Sequence, residues 1–433
     1  MKPADRGKRR IFAITWVTYA GFYFCRKNLS IVLPLLHDSE GLSRLHLANI
    51  VFGYSLLYAI GQFTCGLLSD RFGPRRVVGA GLVIIVLSNL LMSVHAFPLW
   101  LLSFACLNGI GQSTGWSGLV KMMGSWFNSR QRGIVMAWWG TNYVLGGFLA
   151  TAFATWAIAQ HALAPTLGWR RGFLFPALVL FVIMIAFFLF ARDEPEAAPE
   201  SANHLSGKSG ASLQPASLPS AAAAPGWRGK DLMRLLSSRA LWMIGAAYFF
   251  LEMCRYALLF WLPYYLVNHL HYGLAASGYV SSLYELVGVA GALLAGYVSD
   301  RFMESRRAPI SAIMLCGFGV VALLPLLTPH PSLLATSVVI ALAGMLTYGP
   351  DTLLSGAAAQ DVGQETSTAT ASGLIDGIGH LGSLFSPYLV IYVSSHYGWN
   401  LLFAVFACAA FLAAAVLTPI WNLRPVDSTA VQP

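Results

Sequence analysis

Long apolar runs separated by short polar, mostly basic segments make up the chain from end to end. An α-helix needs about 20 apolar residues to cross the hydrocarbon core of a bilayer. Twelve runs reach that length, near residues 11–36, 47–69, 77–95, 98–122, 133–159, 172–191, 240–268, 276–299, 308–328, 332–354, 366–393 and 399–421. The pattern therefore predicts an all-α membrane protein with twelve transmembrane helices.

Composition agrees with this pattern, because 57% of the residues are hydrophobic and only 10% are charged. Soluble proteins carry about 25% charged residues. The six cysteines stand singly in apolar runs, and the sequence shows no paired metal-ligand spacing, no nucleophile with its base and no phosphate-binding loop. We therefore expect no metal, no cofactor and no enzyme activity.

The net charge of +9 is explained by topology rather than by nucleic-acid binding. Most Lys and Arg residues lie before the first run, in alternate loops and in the segment between the sixth and seventh runs. The other side holds only Arg44, Arg170 and Arg171. By the positive-inside rule, both termini are predicted to be cytoplasmic.

An internal repeat divides the chain into two halves. GLLSDRFGPRR at 66–76 follows the second run, and GYVSDRFMESRR at 296–307 follows the eighth. We predict six-helix bundles over 1–191 and 240–433, joined by a flexible linker over 192–239 that is rich in Ala, Ser, Pro and Gly. In such an architecture the substrate site lies between the halves, near the middle of the bilayer.

Both loops resemble the GxxxDRxGRR signature of the major facilitator superfamily of transporters. The resemblance implies the major facilitator fold, with two pseudo-symmetric six-helix bundles. It also implies conformational-switch loops, which here would contain Asp70, Arg71, Arg75, Asp300 and Arg301.

Three cations lie well inside predicted spans, away from the span ends: Arg26, Lys27 and Arg255. A charge at that depth is costly and usually marks a substrate pathway. Arg26 and Arg255 are 229 residues apart, close to the 230 that separate the repeated loops, so they should face each other across the cavity. Two planar guanidiniums suit the oxygens of a phosphate ester. The alternative is a structural ion pair, since Glu252 lies three residues before Arg255.

Polar neighbours extend this predicted site. Tyr19 and Tyr23 share a helix face with Arg26, and Tyr58 shares one with Gln62. Their hydroxyls and amide suit a polyol or sugar body.

Lys27 points about 100° away from Arg26. It is predicted either to bind the ligand directly or to pair with an acid on another helix. Glu285 could pair with Lys27 or Arg26, or form an interhelical hydrogen bond.

Five segments resemble the organophosphate:phosphate antiporter family: YAGFYFCRKN at 19–28, GQSTGW at 111–116, RYALLFWLP at 255–263, LYE at 283–285 and YGP at 348–350. The resemblance implies exchange of an organic phosphate for inorganic phosphate by rocker-switch alternating access, in the bacterial inner (plasma) membrane. It implies that Arg26 and Arg255 bind phosphate. It also implies that four tyrosines line the pathway: Tyr19, Tyr23, Tyr58 and Tyr348. We expect a monomer, because twelve helices can enclose the pathway.

Four residues depart from the pattern of glycerol-3-phosphate transporters: Gln62 replaces a lysine, Asn142 a histidine, Glu252 a tyrosine and His380 a tyrosine. SGLIDGIGHLGSLFSP at 372–387 is closer to the animal sugar-phosphate exchangers. Among these features, Asn142 and Asp376 favour a hexose phosphate slightly over glycerol 3-phosphate.

Asp376 and His380 can meet on one helix face. They are predicted to bind substrate hydroxyls, to titrate with transport, or to pair with each other.

Two alternatives to exchange remain open at this point. Glu252, Glu285, Asp376 or His380 could carry a proton in an anion symporter. The chain could also be a membrane sensor of sugar phosphate without substantial flux.

Overall fold

The structure is a computed structural model. It describes residues 3–127, 135–136, 138–160, 162, 164–193, 233, 235–328 and 331–423. The side chains of residues 3–5, 63, 67, 70, 357 and 359–370 lie outside this description.

Twelve long helices run through the described residues, in the order that the apolar runs predict. They are α1 (Pro3–Asp38), α2 (Arg44–Phe72), α3 (Pro74–Met92), α4 (Pro98–Trp126), α5 (Thr141–Ala159), α6 (Arg171–Phe190), α7 (Arg239–Asn268), α8 (Leu274–Phe302), α9 (Arg307–Leu327), α10 (Leu333–Thr352), α11 (Ala358–His396) and α12 (Gly398–Leu417). By length and composition, nine of the described helices can cross a membrane. The other three, α1, α2 and α4, carry polar residues of the site described below.

Local chemistry sets several helix boundaries. The side chains of Ser43 and Ser332 accept hydrogen bonds from backbone N–H groups three residues later and cap α2 and α10. Pro74 and Pro98 occupy the first positions of α3 and α4, where a missing N–H costs nothing. Between α2 and α3, Gly73 has φ +86°, which a residue with a Cβ rarely adopts.

Two predicted boundaries were wrong. Helix α1 begins at Pro3 rather than near residue 11, because its basic first turns are good helix formers outside the lipid. The loop predicted between the tenth and eleventh spans is helical. A π-helical segment, Leu353–Ala357, joins α10 directly to α11.

Helices α1–α6 pack mainly against one another, as do α7–α12. The two sets meet where α1 contacts α7, α5 contacts α8 and α2 contacts α11. The predicted boundary between halves stays a prediction, because residues 194–232 of the 192–239 linker lie outside the description.

The repeat is also visible in the packing of α2 on α4 and of α8 on α10. A Cβ at Gly109 would overlap the carbonyl oxygen of Tyr54, and a Cβ at Gly344 would overlap that of Tyr284. Tyr54 and Tyr284 are 230 residues apart, the spacing of the repeated loops. Such close backbone approach is typical of membrane helix pairs, where small residues replace hydrophobic driving force.

Candidate functional site

The two arginines predicted to bind phosphate lie near the middle of α1 and α7. Arg26 is 9% exposed and Arg255 is 8% exposed. The guanidinium carbon of Arg26 lies 4.6 Å from the ring centre of Tyr23 and 4.9 Å from that of Tyr58. That of Arg255 lies 4.6 Å from the ring centre of Tyr348. Each half therefore presents one buried guanidinium stacked on tyrosine.

Arg26 has neutral hydrogen-bond partners. Its Nε donates to Oε1 of Gln112 at 3.2 Å, and Nε2 of Gln112 donates to the carbonyl of Phe22 at 2.9 Å. Its Nη2 is buried and has no hydrogen-bond partner in the described part of the chain. Gln112 lies in the GQSTGW segment but was not predicted as a site residue. It holds the arginine from α4, and a donor remains for a ligand.

Arg255 is neutralised by two carboxylates, which differs from the expected pair of uncompensated arginines. Its Nη1 contacts Glu252 and lies 2.6 Å from Oδ1 of Asp351. The Glu252 contact is the ion pair that the spacing of three residues allowed, and the role of Arg255 in phosphate binding stays a prediction. Asp351 was missed. It follows the YGP segment at the end of α10, and only its presence inside a predicted span could have marked it.

Other contacts complete the surroundings of Arg255. The hydroxyl of Tyr248 donates to the same Oδ1 of Asp351 at 2.9 Å. The Nε of Arg255 is buried and has no hydrogen-bond partner among the described residues. The π-helical segment begins two residues after Asp351, at Leu353. Single-turn π segments often occur at functional sites.

Lys27 forms an ion pair with Glu285, so α1 is tied to α8 across the two halves. Both side chains are 3% exposed. Oε2 of Glu285 also accepts from the hydroxyl of Thr151 on α5 at 3.0 Å. Direct binding of a ligand by Lys27 stays a prediction. Pairing with an acid on another helix, the alternative, is confirmed.

The remaining predicted residues on α1 and α2 lie close to Arg26. Nε2 of Gln62 donates to the hydroxyl of Tyr58 at 2.6 Å, which confirms their shared face. Tyr19 is buried, with its ring centre 5.4 Å from that of Trp116 and 5.7 Å from that of Trp139. Tyr19 therefore supports Tyr23 and Arg26 from an aromatic cluster.

Residues expected to contact the substrate body come from α5 and α11. The His380 ring centre lies 5.9 Å from that of Tyr58 and 6.2 Å from that of Tyr256, so His380 sits between the halves. Asp376 is half-buried, and no described hydrogen bond joins it to His380. The predicted mutual pair is therefore not formed. Asn142 is buried, and both polar atoms of its amide lack hydrogen-bond partners within the described ranges.

The repeated loops are held by local contacts. The backbone N–H of Arg75 donates to Oδ1 of Asp193 at 2.8 Å, and Arg71 stacks on Phe72. In the second half, Asp300 pairs with Arg307.

Two other predicted loop residues complete this set. Arg301 is exposed, and the side chain of Asp70 lies outside the description.

One end of the molecule is closed by polar contacts between the halves. Nδ2 of Asn268 donates to Oδ1 of Asp38 at 2.6 Å, and these two residues are themselves 230 apart. Arg44 donates to the hydroxyl of Tyr264 at 3.2 Å and to that of Ser395 at 3.3 Å. We call this end, where α1 ends and α2 begins, the closed end.

A family model described as Major Facilitator Superfamily matches residues 15–387, across both sets of helices. The chain belongs to this superfamily. The superfamily consists of transporters, as the repeated loops predicted, and the chain is not an enzyme.

Similar proteins agree with the narrower resemblance. The chain is 28% identical over 431 residues to a glycerol-3-phosphate transporter of Bacillus subtilis, covering 96% of this chain and 93% of that protein. It is 27% identical over 422 residues to a probable hexose phosphate transport protein of Chlamydia muridarum, covering 95% and 91%. A bacterial homolog of the human lysosomal transporter Spinster, solved inward-facing and unoccupied, has the same fold. Its TM-score is 0.72 at 13% identity, with 98% of this chain and 96% of that one covered.

Proposed function

We propose that the chain exchanges an organic phosphate ester for inorganic phosphate across the inner membrane. One observation carries the proposal: Arg26 is buried between the halves without a carboxylate partner, and its Nη2 has no hydrogen-bond partner in the described residues. An uncompensated buried charge is costly, so such a group is suited to an anionic ligand. The names of the two transporters above support a phosphate ester.

The ligand would lie between Arg26 and the Arg255 cluster. Tyr23, Tyr58 and Tyr348 flank the two guanidiniums. We propose that His380 and Asp376 meet the carbon body, with Asn142 as a further candidate because both atoms of its buried amide are free to bond. The amide of Asn142 and the carboxylate of Asp376 favour a hexose phosphate over glycerol 3-phosphate.

Exchange would follow from alternating access by a monomer. If both termini are cytoplasmic, the closed end faces the outside. A bound phosphate bridges two cationic groups that belong to different halves, so it draws them together. The empty carrier lacks this bridge and seldom changes between its two conformations. Each inward movement of one phosphate is therefore followed by the outward movement of another.

The test is phosphate counterflow in proteoliposomes loaded with inorganic phosphate. Arg26→Lys should lower exchange by about 100-fold or more, because a point charge cannot replace the bidentate fork that orients phosphate. Arg170→Lys is the matched control, since Arg170 is exposed, stacks on Trp169 and lies far along the chain from the site. Near-normal exchange by Arg26→Lys in folded protein would refute the proposal.

Proton-coupled symport is the second candidate, and the carboxylates Glu252 and Asp351 beside Arg255 favour it. Uptake that depends on internal phosphate and ignores an imposed pH gradient supports exchange. Uptake that needs no internal phosphate but follows the pH gradient supports symport.

A further inference from the structure

The charges of the site are distributed unequally between the two halves. Among the described residues Arg26 has no carboxylate partner, and Lys27 pairs with Glu285. Two carboxylates, Glu252 and Asp351, contact Arg255, and a third, Asp376, acts on both of them electrostatically. Three cations therefore face four carboxylates. A phosphate dianion beside Arg255 would meet an excess of negative charge if all four were ionised.

The contacts that Glu252 and Asp351 make with Arg255 show how this excess can be relieved. Both carboxyl groups contact the same atom, Nη1 of Arg255, so two negative charges share one cationic partner. Two carboxylates that share a site do not both ionise readily. Asp351 also accepts a hydrogen bond from the hydroxyl of Tyr248.

We propose that Glu252 and Asp351 form a proton-sharing pair that takes up one proton when an anionic phosphate binds beside Arg255, and releases it when the phosphate leaves. The proton comes from water on the side to which the site is open. Protonation removes one negative charge and turns one acceptor into a donor. Nε of Arg255, unpartnered among the described residues, can then bind the phosphate.

Other titratable or charged groups face this pair from every neighbouring helix, and each could modulate the proton affinity of the pair. They are Tyr248, Arg255 and Tyr256 of α7, Tyr143 of α5, Tyr284 of α8, Tyr348 of α10, Asp376 and His380 of α11, and Arg26 of α1 beyond Tyr256. Among these, Asp376 is the one other carboxylate. Its negative charge favours a proton on the pair.

The proposal rests on the proposed function and is tested by calorimetry on the full chain in detergent. Glucose 6-phosphate and inorganic phosphate are titrated at pH 8 in buffers of different ionisation enthalpy. The slope of binding enthalpy against buffer enthalpy counts the protons taken up. At pH 8 a free phosphate ester is already a dianion, since its second pKa is about 6. The expected slope is about one proton per ligand.

The variants locate the proton. Glu252→Gln and Asp351→Asn should each bring the slope close to zero, because a single carboxylate paired with Arg255 needs no proton. Glu304→Gln changes an exposed acid in the loop after α8 and should keep the slope of the unsubstituted protein. A slope retained by both site variants would place the proton elsewhere, for example on the ligand, and would overturn the proposal.

Measurements on the unsubstituted protein keep the proposal testable if a variant does not fold. Uptake of one proton raises the dissociation constant about tenfold per pH unit between pH 7.5 and 8.5. Binding that is independent of pH in this range and of buffer enthalpy overturns the proton-sharing pair but leaves phosphate transport intact. Absence of binding and of counterflow with either phosphate refutes the proposed function itself.

Discussion

Removal of the carboxylate of Glu285 would leave the ammonium of Lys27 buried without a partner. Both side chains are 3% exposed, so water cannot replace the lost charge. Breaking a buried ion pair from one side costs about 3–5 kcal/mol, whereas replacing both partners by apolar groups is often neutral or stabilising. We expect Glu285→Met and Lys27→Met each to destabilise the protein by about 3–5 kcal/mol. The double variant Lys27→Met, Glu285→Met should lie within about 1 kcal/mol of the original protein.

The assay is a double-mutant cycle on the free energy of unfolding in detergent, with phosphate counterflow measured on the same proteins. The cycle isolates the coupling between the two side chains. Thr151→Val is a suitable control, since it removes only the hydroxyl that donates to Glu285.

Two results would refute this reasoning. Additive single effects would mean that the ion pair contributes no coupling. A stable double variant that binds no phosphate would mean that Lys27 contacts the ligand, against the pairing seen here.

Two further predictions concern the position of Arg26 and the closed end. Gln112→Leu removes the acceptor that orients Arg26, and hydrogen bonds to charged groups contribute about 1.5–3 kcal/mol. We therefore expect the dissociation constant for glucose 6-phosphate, measured by calorimetry, to rise roughly tenfold or more. An unchanged dissociation constant would exclude a positioning role for Gln112. Arg44→Ala removes both of its contacts with the second half, so the closed end should open more often. Asn49 lies on α2 and accepts a hydrogen bond from the hydroxyl of Tyr388 in the second half. An impermeant thiol reagent should label Asn49→Cys faster when Arg44→Ala is also present than when it is absent, and equal rates would contradict this.

The helices and their repeat could be predicted from the sequence because the bilayer restricts the possibilities. Backbone polar groups in lipid must bond within their own segment, so each long apolar run forms a helix. The same constraint made Arg26 and Arg255 conspicuous, since few charges are tolerated at that depth. Local pairs such as Tyr58 with Gln62, and Glu252 with Arg255, followed from helical spacing.

Contacts between distant helices were decided by the tertiary structure. Asp351 accepts a hydrogen bond from Arg255, which lies 96 residues earlier in the chain. Gln112 accepts one from Arg26, which lies 86 residues earlier. Spacing along one helix fixes which face a residue shares, but the rotation and crossing of helices decide which faces meet. The sequence therefore predicted the cations of the site but not which carboxylates compensate each of them.

The sequence by itself determined that this protein is a membrane carrier built of long apolar helices, with one arginine deep inside the first span of each half. Only the packing of α1, α4, α7 and α10 decided that Arg26 has a neutral amide as its partner while Arg255 has two acids. The reason is physical. The cost of a charge in lipid depends on its depth, which follows from the position of the residue in an apolar run. The partner that compensates the charge depends on which side chains the fold brings within a few ångströms.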